Sequence, residues 1–156
     1  MTDEHAQMPP GDLLLGLDHV QLAAPPGSEE LLRRYYAGVL GMTEIAKPPR
    51  PAARGGCWFR SRGPHGTDEP AGVTLHLGVE PDFRPARKAH PGILVRGLDA
   101  LAARLARAGA PVRWDDALPG YRRCYSEDPV GNRLEFLEPV EPVEPVEPPD
   151  CGPAPG

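Results

Sequence analysis

The sequence predicts an α+β fold in which two βαβββ modules form a cupped mixed β-sheet with the helices on the outer face. Three observations predict it. The order strand, helix, strand, strand, strand is read twice along residues 13–138. Each helix candidate has one apolar face and stops at a glycine, Gly41 or Gly109. Within each half, short-connected strands follow the helix, which favours a small sheet with its helix on one face. Two such sheets side by side put the helices outside and leave a concave inner face. The halves share little sequence, so the repeat is one of element order.

The first module opens with Leu13–Ala23, a mostly apolar strand candidate, and turns at Pro25-Pro26-Gly27. Ser28–Leu40 reads as a helix. Ser28 suits the N-cap, Glu29 and Glu30 suit the positive end of the dipole, and Gly41 suits the position after the last turn. Leu31, Leu32, Tyr35, Val39 and Leu40 share one face. Strand candidates follow at Met42–Ala46, Cys57–Arg62 and Val73–Val79. The second module repeats the order. A strand is expected at His90–Val95, a helix at Leu98–Ala108, and strands at Val112–Trp114, Arg122–Ser126 and Arg133–Leu137. Asp128-Pro129-Val130-Gly131-Asn132 is the turn between the last two.

The ends separate by composition. Residues 1–12 have no periodicity and are expected to be disordered. From Pro139 the chain repeats Pro-Val-Glu three times, a period that favours extended polyproline II over helix or paired strand. Residues 139–156 are expected to be a disordered, solvating tail, with a docking ligand as the alternative. That leaves one domain over 13–138, with modules at about 13–80 and 89–138. Five of the 22 acids lie from Glu138 onward with no base among them, leaving 17 acids against 17 bases before it. A body without basic excess is not expected to bind nucleic acid. No apolar run reaches a membrane span, the N-terminus has no signal-like apolar region, and three cysteines lack a CxxC pattern. A cytoplasmic protein is expected.

Four metal-competent side chains fall in the strand candidates: His19, His76, His90 and Glu135. His76 and Glu135 each sit between large apolar residues, and alternation puts those neighbours on one sheet face and the polar group on the other. Three imidazoles and a carboxylate suit one divalent ion, Zn, Ni, Fe, Mn or Co. A lone strand histidine is ordinarily a surface or satisfied core residue. His5 and His65 lie in the disordered end and in a Gly-Pro-rich loop and are expected to face solvent.

Leu17-Asp18-His19-Val20, Tyr35-Tyr36 through Leu40-Gly41-Met42, His90 before Ile93-Leu94-Val95, and Asp128 to Phe136 together resemble the vicinal-oxygen-chelate superfamily. It includes glyoxalase I, extradiol dioxygenases, methylmalonyl-CoA epimerase, fosfomycin-modifying transferases and bleomycin-binding proteins. The resemblance covers about residues 14–138. It implies paired modules around one metal, with ligands from the first and fourth strand of each. Those places fall on His19, His76, His90 and Glu135. Glyoxalase-like members often carry a carboxylate or amide at the second place, and extradiol dioxygenases have two His and one Glu with no equivalent of His76. The reaction type therefore stays open.

The first expectation is a metal-dependent enzyme of isomerase or lyase type, acting on a small oxygenated metabolite chelated through adjacent oxygens. Glu135, then His76, are the candidates for moving the proton. One alternative is an Fe(II) extradiol-type dioxygenase using His19, His90 and Glu135; another is a non-catalytic small-molecule binder of the bleomycin-resistance type. Gln21, Tyr121 and Tyr125 are the candidate substrate contacts. An Arg84, Arg87, Lys88 cluster between the modules is a solvated link or an anion site. Arg133 and other arginines are candidates to balance Glu135, and Cys57 and Cys124 read as buried apolar residues. A homodimer is expected, with the metal site within one chain or shared between two.

Overall fold

The computed structural model describes residues 13–63 and 72–140. Of the ends expected to be disordered, 1–12 and 139–156, all but 139 and 140 lie outside the described residues, as do His5, His65 and Cys151. The chain divides into two units, Met1–Pro85 and Ala86–Gly156. Each holds one four-stranded mixed sheet.

The first unit runs β1 (Val20–Ala24), α1 (Glu29–Arg33), a π-helical segment (Arg34–Val39), β2 (Thr43–Ile45), α2 (Pro49–Ala52), β3 (Cys57–Arg60) and β4 (Thr74–Val79). Its strand order is β1-β4-β3-β2. Only the β1–β4 pairing is parallel, as a strand pair spanned by the rest of the module allows. The expected regular helix over 28–40 is α-helical only to Arg33. Leu32, Tyr35 and Tyr36 are all buried. Successive residues of an α-helix diverge by about 100°, so a wider turn is what lets both tyrosines face inward. Tyr36 stacks on Phe59 of β3 with centroids 5.2 Å apart, and Tyr35 meets Tyr36 edge-on at 5.1 Å. Ser28 does not cap the helix through its side chain; its hydroxyl donates to the Pro25 carbonyl at 2.7 Å. The short α2 was not expected and has Pro in its first turn, where a missing N–H costs nothing.

The second unit runs β5 (Gly92–Leu94), α3 (Leu98–Arg107), β6 (Arg113–Asp115), β7 (Tyr121–Glu127) and β8 (Arg133–Pro139). Its order, β5-β8-β7-β6, repeats the first unit, with β5 parallel to β8 and the other pairings antiparallel. Buried Leu98, Ala102 and Leu105 form the inner stripe of α3. Glu138, grouped by composition with the acidic tail, is structural. Its carboxylate accepts from the Gly97 and Leu98 amides at 2.5 and 3.4 Å, placing a negative charge at the α3 N-terminus.

β8 also outlasts the boundary expected at 139. Pro139 pairs in register with Tyr121, and the Val140 amide donates to the Gly120 carbonyl at 3.0 Å. Proline is tolerated because amides of alternate residues point to opposite sides. The missing N–H of Pro139 belongs to the β5 side, past the last β5 pairing at Leu137.

Cross-strand partners share a sheet face. One row of the first unit is therefore Ile45–Trp58–His76–Gln21, the face opposite Phe59 and its helix. The matching row of the second is Arg113–Tyr125–Glu135–Gly92. His76 and Glu135 thus hold equivalent places, as do Trp58 and Tyr125. Among the described residues no helix is long and apolar enough to cross a membrane.

Candidate functional site

His19 sits one residue before β1 and His90 two before β5, so both lie ahead of their strands rather than within them. Pro91 explains the second case, since a proline cannot donate into the ladder. His76 and Glu135 lie within β4 and β8 as expected, both buried.

In the second unit His90 and Glu135 come together. His90 Nε2 is 3.2 Å from Glu135 Oε2, and His90 Nδ1 is 2.6 Å from the Lys88 carbonyl oxygen. A carbonyl can only accept, so Nδ1 carries the proton and Nε2 is turned to the carboxylate. Gly92 stands opposite Glu135, and a Cβ there would lie 3.4 Å from Oε2, so the glycine leaves room for the carboxylate. Arg123 Nη1 donates to Glu135 Oε1 at 2.7 Å, and the same guanidinium is paired with Asp115 at 2.6 Å. Burial pushes the Glu135 carboxyl up, but the hydrogen bond from Arg123, with His90 and Tyr125 beside it, outweighs that and holds the group below its ordinary value. Tyr125 meets His90 edge-on at 5.5 Å.

In the first unit His19, His76 and Trp58 form a column of rings. His19 and His76 centroids are 3.9 Å apart at 23°, and His76 and Trp58 are 3.8 Å apart at 7°. His19 Nδ1 is 2.7 Å from Asp18 Oδ2, so its Nε2 remains available. Burial, then the neighbouring His19, push the His76 pKa down and favour the neutral ring that can ligate. Gln21, next to His76 in register, is exposed, and its amide folds over Gly78, where a Cβ would come within 2.7 Å of Nε2.

Among the described residues of either unit, no three His, Cys, Asp or Glu side chains gather as a metal-binding group. The donors come as two pairs, His19–His76 and His90–Glu135. Their chemistry fits a divalent ion. Nδ1 of His19 and of His90 is satisfied by an oxygen acceptor, which orients the other nitrogen as it does in metal sites, and one Glu135 oxygen faces an imidazole. Tyr121 and Tyr125, both expected to touch substrate, are separated. Tyr125 is at Glu135, while Tyr121 lines an open depression of about 420 Å³ with Trp114, Asp115, Asp116, Arg122 and Arg123.

Sequence reasoning missed Arg123. The signal was present, since Arg123 is two residues from Tyr125 on a strand and therefore shares its face. Arg133, expected to balance Glu135, instead lies over the Tyr125 ring, its guanidinium 4.0 Å from the centroid. Trp58 is singled out by its register opposite His76.

A glyoxalase family protein from Bacillus anthracis is 42% identical and superposes with a TM-score of 0.71, covering 81% of this chain and 96% of that one. The chain belongs to the glyoxalase family. Its fold is that of the vicinal-oxygen-chelate superfamily. A glyoxalase/dioxygenase from Nostoc punctiforme is similar at 20% identity and a TM-score of 0.64, over 86% of this chain and 97% of the other. An antibiotic binding protein from a Streptomyces species is similar at 22% identity and a TM-score of 0.57, over 81% and 98%. These two likenesses concern the fold alone. No family profile and no curated protein sequence matches the chain.

Proposed function

We propose that this glyoxalase-family chain is a metal-dependent enzyme of isomerase or lyase type, acting on a small oxygenated metabolite held through two adjacent oxygens. His19 and His76 of the first unit and His90 and Glu135 of the second would hold one divalent ion. The two pairs come from one chain or from two chains of a homodimer. The observation that carries the reading is the His90–Glu135 pair, an imidazole nitrogen 3.2 Å from a carboxylate oxygen with the other ring nitrogen anchored on the backbone. When bound, the ion supplies Lewis-acid polarisation of the substrate oxygens.

The chain's own residues do the rest. In an isomerisation a base takes the proton from the carbon bearing the hydroxyl and returns it to the neighbouring carbon, while the hydroxyl proton passes from the first oxygen to the second, so that carbonyl and hydroxyl exchange places. We assign that transfer to Glu135, with His76 second. Arg123 keeps Oε1 occupied, which leaves Oε2 as the basic atom. Burial strengthens these interactions relative to water. Gln21 and Tyr125, which stand beside His76 and Glu135 in register, are assigned to substrate contact, and Tyr121 to its periphery. Free, buried Cys57 and Cys124 support a reducing, cytoplasmic setting.

The test is turnover of α-hydroxycarbonyl substrates after chelation. Activity lost to a chelator and restored by a single ion supports the reading; full activity in the chelated protein contradicts it. One observation favours a second reading, a non-catalytic binder of small molecules. The His19–His76–Trp58 rings stack on one another at 3.8–3.9 Å, an arrangement in which the histidines act as aromatic packing rather than as ligands. Binding of aromatic antibiotics that is indifferent to metal would favour it.

A further inference from the structure

The inference rests on the reading that substrate meets the protein at the His90–Glu135 face. Charge on that face is unevenly partnered. Arg123 is fully engaged by Asp115 and Glu135. Arg133 is not: among the described residues no carboxylate pairs with it. Its Nη1 donates only to the Arg87 carbonyl, at 3.4 Å, and its buried Nε has no acceptor. What holds it is the Tyr125 ring, 4.0 Å beneath the guanidinium, with Arg123 5.4 Å from the same centroid. A cation–π contact fixes a guanidinium without consuming its N–H donors.

Arg133 precedes Glu135 by two residues on β8 and so shares its face. The chain leading into His90 adds to the field. Arg87 and Lys88 are exposed, and their carbonyls accept from Arg133 and His90, which ties this basic segment to the same end of the sheet. Arg123 meanwhile offsets the Glu135 charge that would repel an anion.

We propose that Arg133 is the specificity residue for an oxyanion, a carboxylate or phosphate group carried by the substrate whose reacting oxygens lie at His90 and Glu135. The substrate class is then a small organic acid or phosphate ester rather than a neutral polyol. The planar fork of arginine matches such a group with two parallel hydrogen bonds, which a lysine cannot reproduce.

The test uses the full-length, metal-free protein. It is titrated with inorganic phosphate and separately with benzoate, following the Tyr125 ring resonances. Saturable shifts with at least one anion are expected, and the arm that saturates first names the group. Arg133→Met weakens binding at least about tenfold, Arg133→Lys weakens it less, and Arg122→Met leaves it unchanged. Absent shifts, or equal affinity in Arg133→Met, overturn the inference. If Arg133→Met does not fold by circular dichroism, Arg133→Lys decides, and wild-type affinity in that variant overturns the fork. Metal titration of the same samples scores the metal reading separately, so failure of one does not mimic failure of the other.

Discussion

His90 Nε2 lies 3.2 Å from Glu135 Oε2 while Nδ1 of the same ring is held 2.6 Å from the Lys88 carbonyl oxygen. The anchor leaves Nε2 as the nitrogen that would face a metal under the proposed function. His90→Ala is expected to weaken Co²⁺ or Zn²⁺ binding by at least about tenfold to hundredfold, the scale on which site residues act. Isothermal titration measures it, and unchanged affinity would remove His90 from the ligand set.

Arg123 and Glu135 give a pH-dependent stability. The folded Glu135 carboxyl is held below its ordinary value of 4.5. Its contribution is complete above that pH and is lost as pH falls through the lowered native value. Asp115, also lowered, by the Ala117 amide and then by Arg123, acts in the same direction. Arg123→Met should therefore lower the urea midpoint clearly at about pH 7 and much less at about pH 3.5. A gap that does not change with pH would show that the ion pairs are not its cause.

Gly56 has φ +80°, and a Cβ there would sit 2.1 Å from the Leu77 carbonyl oxygen. Gly56→Ala should cost about 2 kcal/mol or more, combining a left-handed backbone with a backbone clash. Gly38, with nothing within 4 Å of its Cβ position, is the contrast. Gly38→Ala should be neutral or stabilising by up to about 1 kcal/mol, since alanine favours a helix. Chemical denaturation of the two variants checks both, and equal effects would contradict the account.

Burial pushes the Cys57 thiol up to about 11, and burial also raises that of Cys124. Only thiolate reacts readily. Neither residue should be labelled by an aromatic disulfide reagent in the native protein at about pH 8, and both should be labelled after denaturation. Peptide mapping reads the result, and fast native labelling of either would contradict their burial.

The modules were legible because alternation and turn residues mark short strands well. His76 and Glu135, flanked by leucine and phenylalanine inside strands, stand out for that reason. The π-helical segment was not legible, because it answers to the burial of two successive tyrosines, a tertiary demand with no local signal. The places of His19 and His90 ahead of their strands depend on where pairing begins, which period cannot fix. Glu138 was grouped with the tail by composition, while its role at the α3 N-terminus depends on a contact across 40 residues. Arg123 was within reach of alternation, since it stands two residues from Tyr125, but only Glu135 in register opposite Tyr125 gives it meaning.

The most direct test of the central claim is the metal content of untagged protein and of Glu135→Ala, measured side by side by inductively coupled plasma mass spectrometry. The account predicts near-stoichiometric divalent metal in the wild type and a clear loss in the variant, with both folded. No metal in the wild type, even after anaerobic reconstitution, or equal metal in the two proteins, would contradict it.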